Sequence, residues 1–342
     1  MSTANLAMYG VAEGNIRALF GDALVALGQA NLNVVVVDCQ TAMPTAAVAF
    51  AKALPERFLD LGIAEQNAVS VAAGLARMGF IPIIPLFACF SARRALDQVT
   101  IQAAYARLNV KVCGLYAGLT SPNTGATHQM VSDLATMRAI PHLTVVEPAD
   151  ALEMRQALEA VVLHRGPVYF RLVRGDIGGP VPRVSPDGYA FRLGKAALLR
   201  EGTDVTLVGS GLMVARCLEA AASLATEGIA ADVVNVSTIK PLDANLLVTR
   251  ARRTGAVVTA ENHTVLGGLG GAVAEVLGDA CPVPLRRVGI RDEFGTSGPL
   301  EELFPHYGLT AEAVCAAARD ALRAKREPAV RRYPVGRERS GR

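Results

Sequence analysis

The chain has 342 residues, long enough for two domains of ordinary size, each with its own core. Half of them (51%) are hydrophobic and 19% are charged, a balance that suits buried parallel sheets covered by helices. The formal charge of +3 is uneven: residues 323–342 hold eight basic and two acidic side chains, leaving −3 on the remainder, so no nucleic-acid footprint is expected.

In chain order, a helix is expected over 13–30, then strands over 34–37 and 58–63, a helix over 64–78 and a strand over 81–87. Next come a helix over 92–107, a strand over 110–116, a helix over 129–139, a strand over 143–146, a helix over 149–164 and a strand over 168–173. Alternation of this kind implies a parallel sheet with right-handed crossovers. The stretch 175–195 is rich in Gly and Pro and reads as a connection. A second series follows, with strands near 204–208, 232–236, 256–260 and 284–289 and helices near 212–227, 243–253, 268–278 and 310–323. The fold class is α/β with two domains, each a mainly parallel sheet flanked by helices. The expected limits are 10–178, a linker over 179–192, a second domain over 193–325, and a basic mobile tail over 326–342.

Six cysteines lack CxxC spacing and read as reduced core thiols, with no metal site. The start MSTANLAMYG has no charged region followed by an apolar one, and no apolar run reaches the ~18 residues of a membrane span. A cytoplasmic location with no membrane partner is expected. Gly209-Ser-Gly211 and Gly268-Leu-Gly270 begin like dinucleotide loops, but Val214 and Val273 stand where the third glycine belongs.

Three segments of the first domain could carry chemistry. In the first, 60–67, Glu65 is the only acid between Leu61 and Arg77, so apolar surroundings are expected. Burial there would favour a shared proton; equally, Glu65 could be a helix-start carboxylate facing the dipole. In the second, 85–98, Phe87 and Phe90 could wall a flat ring while Arg93 or Arg94 meets an anion. Both phenylalanines could instead be core, with snorkelling arginines. The third, 118–129, is polar and ends near His128, placed for acid–base work or simply solvated. Arg174, closing the last strand of this domain, has a similar position.

Taken in order, GIAEQN (62–67), Phe87-x-x-Phe90 with RRALDQ (93–98), GATHQ (125–129) and MRAIPHLTVVEPADALE (137–153) resemble the pyrimidine-binding domain of the transketolase family. STIKPLD (237–243), TAENHTVLGGLGGAVAEVL (259–277), EFGTSG (293–298) and YGL (307–309) are similar to that family's carboxy-terminal domain. The resemblance spans about residues 13–322 and implies a thiamine-diphosphate-binding fold followed by a transketolase C-terminal-like domain. Full-length members carry a further domain whose Gly-Asp-Gly sequence holds Mg²⁺ and the diphosphate; here Gly21-Asp22 is followed by alanine. The resemblance therefore implies a separate amino-terminal-type transketolase subunit that holds most of the metal and diphosphate, in an α2β2 heterotetramer.

Carried over residue by residue, Glu65 would hydrogen-bond the aminopyrimidine and favour the tautomer that removes the thiazolium proton. Phe87 and Phe90 would pack around that ring. His128 would stabilise or move protons on substrate oxygens, and Arg174 would bind substrate phosphate, with Arg93 or Arg94 assisting. The implied reaction passes a two-carbon ketol unit between sugar phosphates. Two positions depart from the family: Thr124 stands for an aspartate and Tyr116 for a histidine. Both family residues contact substrate hydroxyls, so a pathway-specific sugar is expected. The alternatives are a 1-deoxyxylulose-5-phosphate synthase-like protein, a 2-oxoacid dehydrogenase beta-type subunit, and a catalytically silent structural or regulatory subunit.

Overall fold

Four valines and an aspartate form the strand Val34–Asp38 (β1), every residue of it buried, as a central strand covered on both faces requires. The computed structural model describes residues 16–174 and 181–327. The other strands, in chain order, are Phe58–Asp60 (β2), Ile81–Phe87 (β3), Lys111–Leu115 (β4), Thr144–Val146 (β5), Val168–Arg171 (β6), Ala197–Arg200 (β7), Val205–Gly209 (β8), Ala231–Asn235 (β9), Thr238–Lys240 (β10), Val257–Thr264 (β11) and Leu285–Ile290 (β12). Seven strands form one sheet in the order β10-β5-β6-β4-β3-β1-β2, and five form a second in the order β12-β11-β8-β9-β7. Both are parallel except for β10 and β7, which pair antiparallel with β5 and β9. The two-domain α/β class expected from the sequence is the one observed.

Small side chains let helices lie close on the first sheet. The helix Glu65–Arg77 buries Ala68, Val69, Ala72 and Ala73, while its outer side at Gly74 faces open space. The helix Ala151–Leu163 starts on Asp150, whose carboxylate accepts the Glu153 N–H at 2.8 Å, a cap worth ~1 kcal/mol. The other Asp150 oxygen accepts the N–H groups of Val184 and Ser185 at 2.8 and 2.7 Å. The connection between domains is thereby pinned to the first one where it is described. Part of the expected linker (179–180) lies outside the described residues, as do 175–178, residues 1–15 and most of the expected tail (328–342). Arg326, the first residue of that tail, still belongs to the last helix, Ala311–Arg326.

The expected helix over 92–107 differs in kind. It is built of a π-helical turn Phe90–Arg94, a short α turn Leu96–Gln98 and a second π-helical stretch Val99–Tyr105. Wide turns of this sort rotate side chains off the regular helical stripe and cluster at functional sites. They begin three residues after β3 ends.

Candidate active site

From β1 the chain goes outward to β2 and then crosses back to β3 on the other side of β1. The order of the sheet reverses there, opening the crevice at strand carboxyl ends where ligands of open α/β sheets bind. Asp60, closing β2, accepts the N–H of Gly62 at 3.0 Å, and Gly62 adopts φ 71°, a conformation cheap only for glycine. That turn delivers Glu65 as the first residue of its helix, where no side chain caps the open N–H groups. Glu65 is only 2% exposed. The sequence led us to expect apolar surroundings; instead Arg94 reaches it from the π turn with Nη1 2.6 Å from Oε1.

Phe87 ends β3 and Phe90 opens the π turn. Their rings are parallel to within 2° with centroids 5.5 Å apart, and the Arg94 guanidinium lies 4.5 Å from the Phe90 centroid. Tyr116, the residue after β4, stacks on Phe87 at 4.3 Å, and the Arg174 guanidinium lies 5.5 Å from the Tyr116 ring. Rings and cations therefore follow one another as Arg94, Phe90, Phe87, Tyr116, Arg174. Tyr116 takes φ 60°, the left-handed region that bulky residues rarely occupy, and its hydroxyl donates to the Pro44 carbonyl at 3.0 Å.

His128 stands edge-on to both phenylalanines, with centroids 6.1 and 5.4 Å away, and its Nδ1 is 2.9 Å from the Thr127 hydroxyl. Arg93 does not point at the rings: it donates to the Gln129 carbonyl at 3.1 Å, fixing the loop beside His128. So Glu65, Phe87, Phe90, Arg94, His128 and Arg174 converge on one edge, and Arg93 props it from behind. Sequence reasoning noted Tyr116 only as a departure, and its place in the stack depends on a backbone conformation that no local pattern signals.

A buried ionic cluster, unforeseen in the sequence, joins the domains behind this edge. Arg171, fully buried, donates to Asp133 at 2.7 and 3.1 Å, to Glu147, and to the Asn262 carbonyl at 3.0 Å. Tyr169 also donates to Asp133 at 2.8 Å, and Ser210 to Glu147 at 2.6 Å. Burial opposes charge on Asp133 and Arg171. Their mutual attraction outweighs it, holding the carboxyl below and the guanidinium above the usual range. Glu261 accepts the N–H groups of Leu269 and Gly270, yet burial, with Glu147 adding to it, pushes its carboxyl up to about 7. Burial pulls His263 down to about 4. The motif TAENHTVLGG thus supplies a domain seam.

Among the described residues, no group of three or more His, Cys, Asp and Glu gathers to hold a metal ion, and no helix is long and apolar enough to cross a membrane. All six cysteines are free thiols, five of them buried.

A buried carboxylate at a sheet switch point is thus joined through one arginine to a pair of parallel aromatic rings. Residues 13–179 match the family "Transketolase, pyrimidine binding domain" and residues 194–314 match "Transketolase, C-terminal domain". The chain belongs to the transketolase family of thiamine-diphosphate-dependent enzymes. It is 46% identical to the 6-deoxy-6-sulfo-D-fructose transketolase subunit SqwH of Clostridium sp. over 91% of this chain and 95% of that one. It is 38% identical to one of the subunits of the apulose-4-phosphate transketolase of Phocaeicola vulgatus, over 88% and 96% of the two chains. Among solved structures, it superposes on a split gene transketolase described as an inactive beta4 tetramer, with TM-score 0.84 and 47% identity over 91% of this chain and 99% of that one.

Proposed function

We propose that this chain is the pyrimidine-binding subunit of a split transketolase that works in the cytoplasm as an α2β2 assembly with a subunit holding the diphosphate and Mg²⁺. The observation that carries the proposal is Glu65, a carboxylate 2% exposed at the β1–β3 switch point, joined through Arg94 to the Phe90 ring that lies parallel to Phe87. These parts fit the aminopyrimidine: the rings offer flat apolar faces, and the carboxylate offers a hydrogen-bond partner for a ring nitrogen. When bound, thiamine diphosphate supplies the carbon nucleophile that cleaves and re-forms the ketol bond.

The side chains of this chain divide the remaining work. Glu65 holds and exchanges a proton with the pyrimidine nitrogen, and Arg94 orients Glu65. Phe87 and Phe90 bind the ring and exclude water. His128, a loop imidazole at the edge of those rings, stabilises or moves protons on substrate oxygens. Arg174 binds the substrate's anionic end. The relatives favour such a substrate, since a sulfofructose and an apulose phosphate each carry an anionic group. Both relatives are described as subunits, which favours a partner. Ile63, just before the Glu65 helix, and Ile101 and Tyr105, on the π-helical stretch after Arg94, add to this by exposing apolar side chains.

The test is co-purification with a subunit matching the diphosphate-binding half of the family, followed by assay of ketose phosphates and ketose sulfonates with thiamine diphosphate and Mg²⁺. Ketol transfer by the pair, and none by either chain alone, is expected. Full activity of the lone chain would overturn the split arrangement.

A further inference from the structure

The loop over 117–131, which carries His128, is fastened to the second domain along its whole length. At its entry, the Asn262 side chain lies flat on the loop backbone. Its Oδ1 accepts the Leu119 N–H at 3.1 Å, and its Nδ2 lies 3.5 Å from the Ala117 carbonyl. Gly118 permits this approach: it takes φ 62°, and a Cβ there would stand 2.3 Å from the Asn262 amide. At the loop's middle, the Gly298 N–H donates to the Pro122 carbonyl at 3.2 Å, and a Cβ on Gly125 would meet the Ser297 hydroxyl at 2.5 Å. Next to His128, Gln129 donates from Nε2 to the Thr296 carbonyl at 2.9 Å, while Arg93 holds the Gln129 carbonyl. At the exit, the Thr264 N–H donates to the Val131 carbonyl at 2.7 Å. Gln129 is 1% exposed and Asn262 is 1% exposed, so neither contact competes with bulk water.

Within the loop's central part, 119–129, regular structure is confined to a single short turn, Gly125–Thr127. Left alone, such a segment samples many poses, and a displacement of about 1 Å in a reacting group can cost on the order of 100-fold in rate. Two segments of the second domain, 262–264 and 295–298, remove that freedom. We infer that the carboxy-terminal domain acts in catalysis as a clamp on the His128 loop, with Asn262 and Gln129 as its positioning residues. The clamp acts through His128 and rests on the role proposed for that histidine. It has no part in orienting Glu65, which is fixed by its own helix and Arg94.

A double-mutant cycle in the reconstituted complex separates this clamp from general support of the fold. Asn262→Ala and, independently, the near-isosteric Gln129→Met are expected to lower kcat on the order of tenfold in the wild-type background. In a His128→Ala background each is expected to cost less than about twofold, because the group they position is already gone. Proton exchange at the thiazolium carbon, which depends on Glu65, is expected to stay within about twofold throughout. On the lone full chain, backbone amide exchange over 117–131 is expected to quicken in both variants, with the strands of the first sheet unaffected. The clamp is overturned if each variant costs the same factor in both backgrounds, or if thiazolium exchange falls in step with turnover. It is also overturned if loop protection is unchanged. A wild-type complex without ketol transfer, or a His128→Ala complex as active as wild type, would instead overturn the functional reading itself, and the clamp with it.

Discussion

Arg94 binds Glu65 through a contact of 2.6 Å while its guanidinium covers the Phe90 ring at 4.5 Å, so one cation ties the buried carboxylate to the aromatic wall. The two residues come from different crossovers, 29 positions apart, and meet because the π turn swings Arg94 back over the β3 end.

Arg94→Met should therefore slow proton exchange at the thiazolium carbon in the reconstituted complex on the order of tenfold, since a carboxylate without its orienting partner loses geometry rather than identity. Arg94→Lys should fall between, keeping charge but losing the planar fork. The competing assignment, Arg94 as an anion ligand for substrate, requires the opposite pattern: normal exchange with a raised KM for charged ketoses.

Tyr116 makes the second prediction. Its hydroxyl is used by the Pro44 carbonyl and its ring by Phe87 and Arg174, so it serves as a platform between the cofactor wall and the anion end. Tyr116→Phe keeps the ring and should leave KM for anionic ketoses within about twofold. Tyr116→Leu removes a cation–π contact of about 0.5–2 kcal/mol and should raise that KM about two- to thirtyfold. A neutral acceptor such as glycolaldehyde should be used as before, and steady-state assays of charged and neutral substrates side by side check the split.

Removing Arg171 should be felt as lost stability. Arg171→Met leaves Asp133 and Glu147 buried without their counter-charge, and breaking a buried pair costs about 3–5 kcal/mol. Urea unfolding followed by far-UV circular dichroism would show a midpoint moved sharply downward; a midpoint close to wild type would mean that the seam does not bear on folding.

The pH dependence of stability isolates Glu261. Its carboxyl, at about 7 when folded against an ordinary 4.5, binds a proton in the native state over a window where the unfolded chain has released it. Its contribution is present below about 4.5 and is lost as pH rises through about 7. His263, at about 4 against 6.5, works the other way between those values. The urea midpoint of wild type relative to Glu261→Gln should therefore fall as pH goes from 4.5 to 7. A difference independent of pH would show that Glu261 stays ionised in the fold.

How far the sequence reveals this molecule depends on the range of the forces involved. Strands such as Ile81–Phe87 and helices such as Glu65–Arg77 were legible because their periodicity and apolar runs are local. The strand Thr238–Lys240 was not: three residues pair with β5 about 92 positions earlier, and nothing within their own stretch signals that partner. The edge strand Ala197–Arg200 is only one residue longer, and its residues are all half-buried, so no alternation marks it. At the site, Glu65 was visible as a lone acid in an apolar stretch and Phe87 and Phe90 as paired aromatics, but Arg93 and Arg94 were indistinguishable. The π turn sends one to Glu65 and the other to Gln129, a choice set by backbone winding.

The most direct test of the account is hydrogen–deuterium exchange at the thiazolium carbon in the reconstituted complex carrying Glu65→Gln. Gln keeps the shape and a hydrogen bond but cannot exchange a proton with the pyrimidine. The account predicts exchange slower by ~10²–10⁴, with an unchanged melting temperature and Glu65→Asp intermediate. Exchange as fast as wild type would contradict it, leaving Glu65 a helix-start carboxylate and the site elsewhere.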